Sequence, residues 1–470
     1  MKDISKQQSF SEPELYVEHQ LILTGSVSDI EAILKLAEVK FDQLYLQQEI
    51  AIEKLVSRKR PLPGLESKRN HVIRHYMYEE EVAPLIHRIN HLAHKKRVDV
   101  NADFNYLISA NPWTVAGSPW TVAGSPWTVA GSPWTVAGSP WTVAGSPWRG
   151  MNNQGGASIR RKALSIFYSQ WAFGERGLSA RVGEQAPPYA GSGIRVGIFD
   201  TSPFPVTISN ADFQLEPNLH LTLSHPIPGG ITGGCGSGPA ADHGLFVAGL
   251  IHALAPYSDI HLIRVLDDAA QGVMSVLLAA LAQFIREVND DGMLRGAVIN
   301  LSLGLTDSEG DTATGPASLR LLLEVAYALN IIVVAAAGND SAPIAGSHGP
   351  QVPAAWDFVI GVAACNAQRE LACFANTGDI MAPGGGGIAP YCLPGLNKCY
   401  GVDCRYALIS LSTTSWTGFS YGVGSSFAAP LISGLVANIQ SRDSWLPCAE
   451  IKQKILHNAV DGVIDAEGIY

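Results

Sequence analysis

Four residues able to hydrolyse an amide stand where the chain's hydrophobic pattern changes from one element to the next. Asp200 directly follows the apolar run 194–199. His243 sits in Asp242-His243-Gly244, ahead of Val247-Ala248-Gly249, and Ser426 in Gly424-Ser425-Ser426-Phe427-Ala428-Ala429-Pro430. Asn339 ends the run Ala335-Ala336-Ala337-Gly338-Asn339. A serine hydroxyl attacks a carbonyl only when a neighbouring base takes its proton. An imidazole is that base when a buried carboxylate fixes its tautomer and stabilises the imidazolium. Donors at a helix N-terminus, with a side-chain amide beside them, meet the charge that develops on the carbonyl oxygen. Each feature alone is ordinary, since an Asp after a strand turns the chain and Gly-Ser-Ser before an apolar run caps a helix. Their joint occurrence in the order Asp, His, Asn, Ser carries the assignment of Asp200, His243 and Ser426 as catalytic and Asn339 as oxyanion donor.

The elements that must position these residues alternate. Strands are expected over 194–199, 260–265, 297–303 and 331–337, and helices over 243–253, 274–288, 317–329 and from Ser426 to about 439. Strands apolar throughout, instead of every second residue, belong to a parallel sheet covered on both faces. The β-α order then predicts a three-layer α/β domain with a mostly parallel sheet over 165–470. In such sheets functional residues gather at the carboxyl ends of the strands.

The blocks around Asp200, His243, Asn339 and Ser426 resemble the signature segments of the subtilisin family, the subtilases. The serine block is similar to that family's Gly-Thr-Ser-Met-Ala-Ala-Pro, and Val298-Ile299-Asn300-Leu301-Ser302-Leu303-Gly304 to the strand that pairs with substrate backbone. Asp379-Ile380-Met381-Ala382-Pro383-Gly384 resembles a further family segment. The resemblance implies a subtilisin-like fold and serine endopeptidase chemistry on peptide or protein substrates through an acyl-enzyme. It implies substrate-binding roles for Ser302, Leu303, Gly304, Ala337 and Gly338, and no cofactor for the chemistry. Small walls at 302–304 and 335–338 leave a pocket for an apolar or aromatic side chain. The chain departs from the family where Ser202-Pro203 follow Asp200-Thr201, at Leu245 after His243-Gly244, and at Phe427 after the serine. Two alternatives are a catalytically weak or inactive peptide-binding homologue and a protease dedicated to processing one peptide precursor.

Residues 1–110 read as a separate small α+β unit. A strand is expected over 15–23, a helix opened by a Ser28/Glu31 capping box, a helix over 81–95 and a strand over 97–108. Its order and its closing stretch 100–108 are similar to the inhibitory prodomains of subtilisins, which implies intramolecular inhibition; a regulatory or protein-binding module is the alternative. Between the two units, Pro-Trp-Thr-Val-Ala-Gly-Ser repeats five times from Pro112 to Ser146, in a linker over 111–164. Pro and Gly in every unit exclude a continuous helix.

A net charge of -10 and a pI near 5.7 argue against nucleic-acid or anionic-membrane partners. The acidity is concentrated from residue 166 onward, with 13 Lys/Arg against 26 Asp/Glu. Such a surface is compatible with structural calcium, although no metal site is read from the sequence. The seven cysteines are an odd number; Cys392, Cys399 and Cys404 cluster in a segment over 385–421 that reads as an insertion and lacks zinc-site spacing. They are expected to be reduced or partly paired. Without an apolar leader-like segment, a cytoplasmic location is expected, with export by a non-standard route as the alternative.

Overall fold

The computed structural model describes residues 16–39, 41–56, 61–110, 164–174, 186–203, 221–224, 240–292, 294–305, 315–341, 348–386, 407–412 and 419–466. The heptapeptide repeat, the Cys392/Cys399/Cys404 cluster and most of the 385–421 segment lie outside them.

Near the N-terminus, β1 (Tyr16–Ser26), β2 (Leu44–Ala51), β3 (His71–Tyr78) and β4 (Asn101–Ala110) form an antiparallel sheet in the order β4-β1-β3-β2. Helices α1 (Val27–Leu36) and α2 (Val82–Lys96) accompany it. The centre of β1 is buried on every residue because both faces of the sheet are covered. Leu21 and Leu23 join Ile30, Ile33, Ile86 and Ile89 in the small unit's own core. The alternate residues Ile22, Ile50, Ile73 and Ile108 join the core of the larger body instead. Each buried isoleucine is worth about 2 kcal/mol, so this second face is a substantial docking surface. The capping expectation shifts by two residues. Ser26, not Ser28, is the N-cap; its Oγ accepts from Asp29 N–H at 3.1 Å and donates to Asp29 Oδ2 at 2.7 Å. β1 continues to Ser26, which moves the cap upstream. Strands β2 and β3 were not anticipated, because their polar and aromatic residues break the alternation of a half-buried strand.

The larger body is the expected three-layer α/β domain. Its parallel strands are β5 (Ile194–Asp200), β6 (Leu221–Ser224), β7 (Asp259–Arg264), β9 (Gly296–Leu301), β11 (Ile331–Ala336), β12 (Ile360–Cys365) and β13 (Ile380–Pro383). They lie in the order β6-β7-β5-β9-β11-β12-β13. The edge beyond β13 is completed by a short hairpin, β16 (Ala459–Val460) and β17 (Val463–Ile464). Helices α3 (His243–Leu254), α4 (Met274–Asp290), α5 (Ala317–Ala328), α6 (Ser425–Arg442) and α7 (Cys448–His457) cover the sheet and its edge. From β5 the chain adds β7 and β6 on one side and then crosses to β9 on the other. β5 is therefore the switch point, where α/β sheets open a crevice at their carboxyl ends. α6 is buried from Ser425 through Ser441, and Gly434 shows why it needs small side chains, since a Cβ there would come within 2.9 Å of Leu254 Cβ.

Four short strands complete the framework. β8 (Gln271–Val273) and β10 (Leu303–Leu305) flank the end of β4, and β14 (Leu408–Leu411) pairs with β15 (Phe419–Gly422). The strand expected over 297–303 is thus two strands, broken at Ser302. Among the described residues no helix is long and apolar enough to cross a membrane.

Candidate active site

Asp200 closes β5 at the switch point and is fully buried. Its Oδ1 accepts from His243 Nδ1 at 2.7 Å and from the Thr201 N–H at 2.6 Å. Thr201 bridges the strand to the next helix. Its hydroxyl lies 3.0 Å from the carbonyl oxygens of Ala240 and Ala241 and accepts from the Gly244 N–H at 3.1 Å. Helix α3 must approach this turn closely, and a Cβ on Gly244 would lie 2.3 Å from the Thr201 carbonyl oxygen. The Ser202-Pro203 departure therefore leaves the carboxylate's setting intact, because Thr201 supplies the contacts that hold the turn.

His243 opens α3 and is also fully buried. Asp242 before it accepts from Ser412 Oγ at 2.7 Å, which ties the helix start to the β14 end. The departure at Phe427 is a packing substitution. Its ring stacks at 4.3 Å on Phe246 and lies 5.3 Å from the imidazole, one apolar wall beside His243.

Ser426 lies in the first turn of α6. Its Oγ donates to the Ser302 carbonyl at 3.1 Å, and Ser302 Oγ donates to the Ser426 carbonyl at 2.8 Å. Asn339 follows β11, and its Oδ1 accepts from the Ser425 N–H at 3.0 Å. That bond fixes the amide's orientation and leaves its NH2 as the donor end. Gly338 N–H donates to Ser425 Oγ at 3.2 Å with a φ of +109°, a conformation that favours glycine. The structure joins these residues in two pairs: Asp200 with His243 at the end of β5 and the start of α3, and Asn339 with the Ser425-Ser426 turn that opens α6, where Ser426 Oγ bonds to the Ser302 carbonyl and the neighbouring Phe427 ring lies 5.3 Å from the His243 ring.

A peptide already runs along this edge. The end of β4 is paired antiparallel to β10, with Leu303 opposite Ala110, Gly304 opposite Ser109 and Leu305 opposite Ile108. On its other side it pairs with β8, Ile108 opposite Gly272, and Ala110 N–H donates to the Ala270 carbonyl at 3.1 Å. Leu303 and Gly304 lie in this backbone ladder with β4. Ser302 instead bonds to Ser426 at the start of α6. Ala337 and Gly338 bond neighbouring backbone, Ala337 donating to Val362 and accepting from Gln351. Sequence reasoning missed the second rail, Ala270 to Val273, because three residues of strand leave no periodicity.

The same strand caps two helices. Asp103 accepts from Ala317 N–H at 3.3 Å, Ser318 N–H at 3.0 Å and Ser318 Oγ at 2.9 Å, at the start of α5. Asn105 Oδ1 accepts from Ser275 N–H at 2.9 Å at the start of α4. Neither helix supplies its own side-chain cap, since Pro316 and Val273 occupy those positions. Burial pushes the Asp103 carboxyl up, while its bonds to Ser318 and Ala317 pull the other way.

No cysteine competes as nucleophile among the described residues with a free thiol. Cys365 and Cys448 are buried, and burial pushes both thiols up to about 12. Cys373 is held in a disulfide, so the cysteines are not uniformly reduced. Among the described residues no group of three or more His, Cys, Asp or Glu could hold a metal ion.

Comparison with known proteins accords with this geometry. The chain is 27% identical over 293 residues to "Subtilisin DY" of Bacillus licheniformis, covering 59% of this chain and 87% of that protein. It is 26% identical over 285 residues to "Subtilisin" of Bacillus pumilus, covering 57% and 84%. The cytoplasmic location expected from the sequence is corrected by the comparison, since a relative is named as an extracellular protease. That relative is "Minor extracellular protease Epr" of Bacillus subtilis (strain 168), 28% identical over 232 residues, 47% of this chain and 30% of that protein. The family model described as "Subtilase family" matches residues 229–468, a span that holds His243, Asn339 and Ser426 and begins after Asp200. With half of its length matched, the chain belongs to the subtilase family and is a serine endopeptidase.

Proposed function

We propose that this endopeptidase works through Asp200, His243 and Ser426, with Asn339 as oxyanion donor and the N-terminal unit as its intramolecular inhibitor. The observation that carries the triad is the fully buried Asp200–His243 pair at 2.7 Å, tied through Thr201 to the start of α3. The carboxylate holds the proton on Nδ1, which leaves Nε2 as the basic nitrogen. His243 takes the Ser426 proton as Oγ bonds to the scissile carbonyl carbon, and the C=O electron pair moves onto oxygen. The Asn339 amide and the first N–H groups of α6 bind that oxyanion. Collapse breaks the C–N bond, and His243 returns the proton to the departing amine. Water then repeats the sequence on the acyl-enzyme, releasing the carboxylate product and restoring Ser426.

The ladder formed by β8, β4 and β10 supports both an extended-peptide substrate and inhibition by the N-terminal unit. Any peptide taking the place of β4 obtains backbone bonds from both rails without regard to sequence. An apolar or aromatic residue is expected at the position just before the scissile bond. An internally quenched peptide with phenylalanine there tests the proposal. Chain freed of the N-terminal unit is expected to cleave it after phenylalanine, and the same preparation of Ser426→Ala to leave it intact. Equal cleavage by the two would place the chemistry elsewhere.

A further inference from the structure

The structure assigns to Ser302 a positioning role: its hydroxyl replaces a backbone donor that Pro430 removes from the nucleophile's own helix. The inference rests on Ser426 being the nucleophile and goes beyond a substrate-binding role for Ser302.

In an α-helix the carbonyl of residue i accepts from the N–H of residue i+4. For Ser426 that residue is Pro430, which lies inside α6. Proline has no N–H, and its ring crowds the carbonyl four residues earlier. The Ser426 carbonyl is thus deprived of its helical donor and turned away from the regular ladder. It lies in a fully buried environment, where an unmatched carbonyl is costly. Ser302 Oγ meets it at 2.8 Å.

Ser302 is itself held. Asn300 Nδ2 donates to Ser302 Oγ at 3.0 Å, and Ser433 Oγ donates to Asn300 Oδ1 at 2.8 Å. The four side chains Ser433, Asn300, Ser302 and Ser426 are all fully buried. The chain of bonds leaves α6 at Ser433, passes through β9 and returns to α6 at Ser426. Asn300 stands on a strand paired on both sides, to β5 and β11, so it is a rigid anchor. Breaking the strand at Ser302 is what brings its hydroxyl and its carbonyl together onto Ser426. The carbonyl accepts the resting nucleophile's proton at 3.1 Å, and the hydroxyl fixes the peptide plane from which that nucleophile projects.

The test is a double-mutant cycle, because Pro430→Ala restores an N–H that can bond the Ser426 carbonyl. Three quantities are read on the full chain: kcat, KM, and the second-order rate of fluorophosphonate labelling. In the parent background Ser302→Ala is expected to lower kcat and the labelling rate roughly ten- to a hundredfold, with KM within about threefold. In the Pro430→Ala background the same substitution is expected to cost less than about threefold. Ser302→Cys fills the same space with a weaker donor and is expected to fall between serine and alanine. Equal losses in both backgrounds, no loss in either, or a loss carried by KM with labelling unchanged would overturn the assignment. A folded parent chain that takes no label would overturn the enzyme mechanism itself, and this inference with it.

Discussion

His243→Ala is expected to lower kcat at least about a thousandfold, with KM changed by no more than a few-fold. The imidazole is the base within the site that a buried carboxylate orients, and Asp200 Oδ1 holds its Nδ1 at 2.7 Å. Its removal leaves in place the backbone pairings that β8 and β10 make with β4. Binding is therefore preserved while proton transfer is lost. Steady-state kinetics on the quenched peptide checks this, with circular dichroism to confirm the fold. A variant that retains a tenth or more of the parent kcat would mean that His243 is not the base.

Ile108→Asp is expected to raise the fluorophosphonate labelling rate of the intact chain by about a hundredfold or more. Ile108 is 1% exposed and packs in the larger body's core between β8 and β10. A carboxylate there must either be desolvated without a partner, at a cost of several kcal/mol, or leave the ladder. Leaving exposes the rails and the Ser426 side of the crevice. The small unit keeps its own core, because Ile108 belongs to the larger body's cluster and not to the one around Leu21 and Ile30. Labelling at the parent rate would show that the β4 ladder does not restrain the enzyme.

The sequence made the larger domain legible because its strands are apolar on every residue and its helices are long and amphipathic or wholly apolar. Asp200, His243, Asn339 and Ser426 could be singled out because each lies at or within three residues of the end or start of an element, and element ends are where a parallel sheet exposes chemistry. The small unit was half legible. β1 and α2 carry strong patterns, but β2 and β3 mix exposed Tyr45, Leu46 and Met77 with charged residues. Ser26 and Ser28 both satisfy the local rule for an N-cap, and only the length of β1 selects Ser26. The interdomain caps were not legible at all. Asp103 and Asn105 lie more than 160 positions from the helices they cap, and what marks α4 and α5 is the absence of a cap of their own. Ser302 was legible as a residue near the site but not in its role, which depends on Pro430 on a different element. The cytoplasmic expectation, drawn from the lack of an apolar leader-like segment and an odd cysteine count, is overturned by the likeness to an extracellular protease, because neither feature reads the compartment directly.

The most direct measurement is the site of covalent modification by a fluorophosphonate on chain freed of its N-terminal unit, read by intact mass and peptide mapping. One adduct is predicted, on Ser426, absent from Ser426→Ala and strongly reduced in His243→Ala. A folded, unblocked chain without an adduct, or an adduct on another serine, would contradict the account.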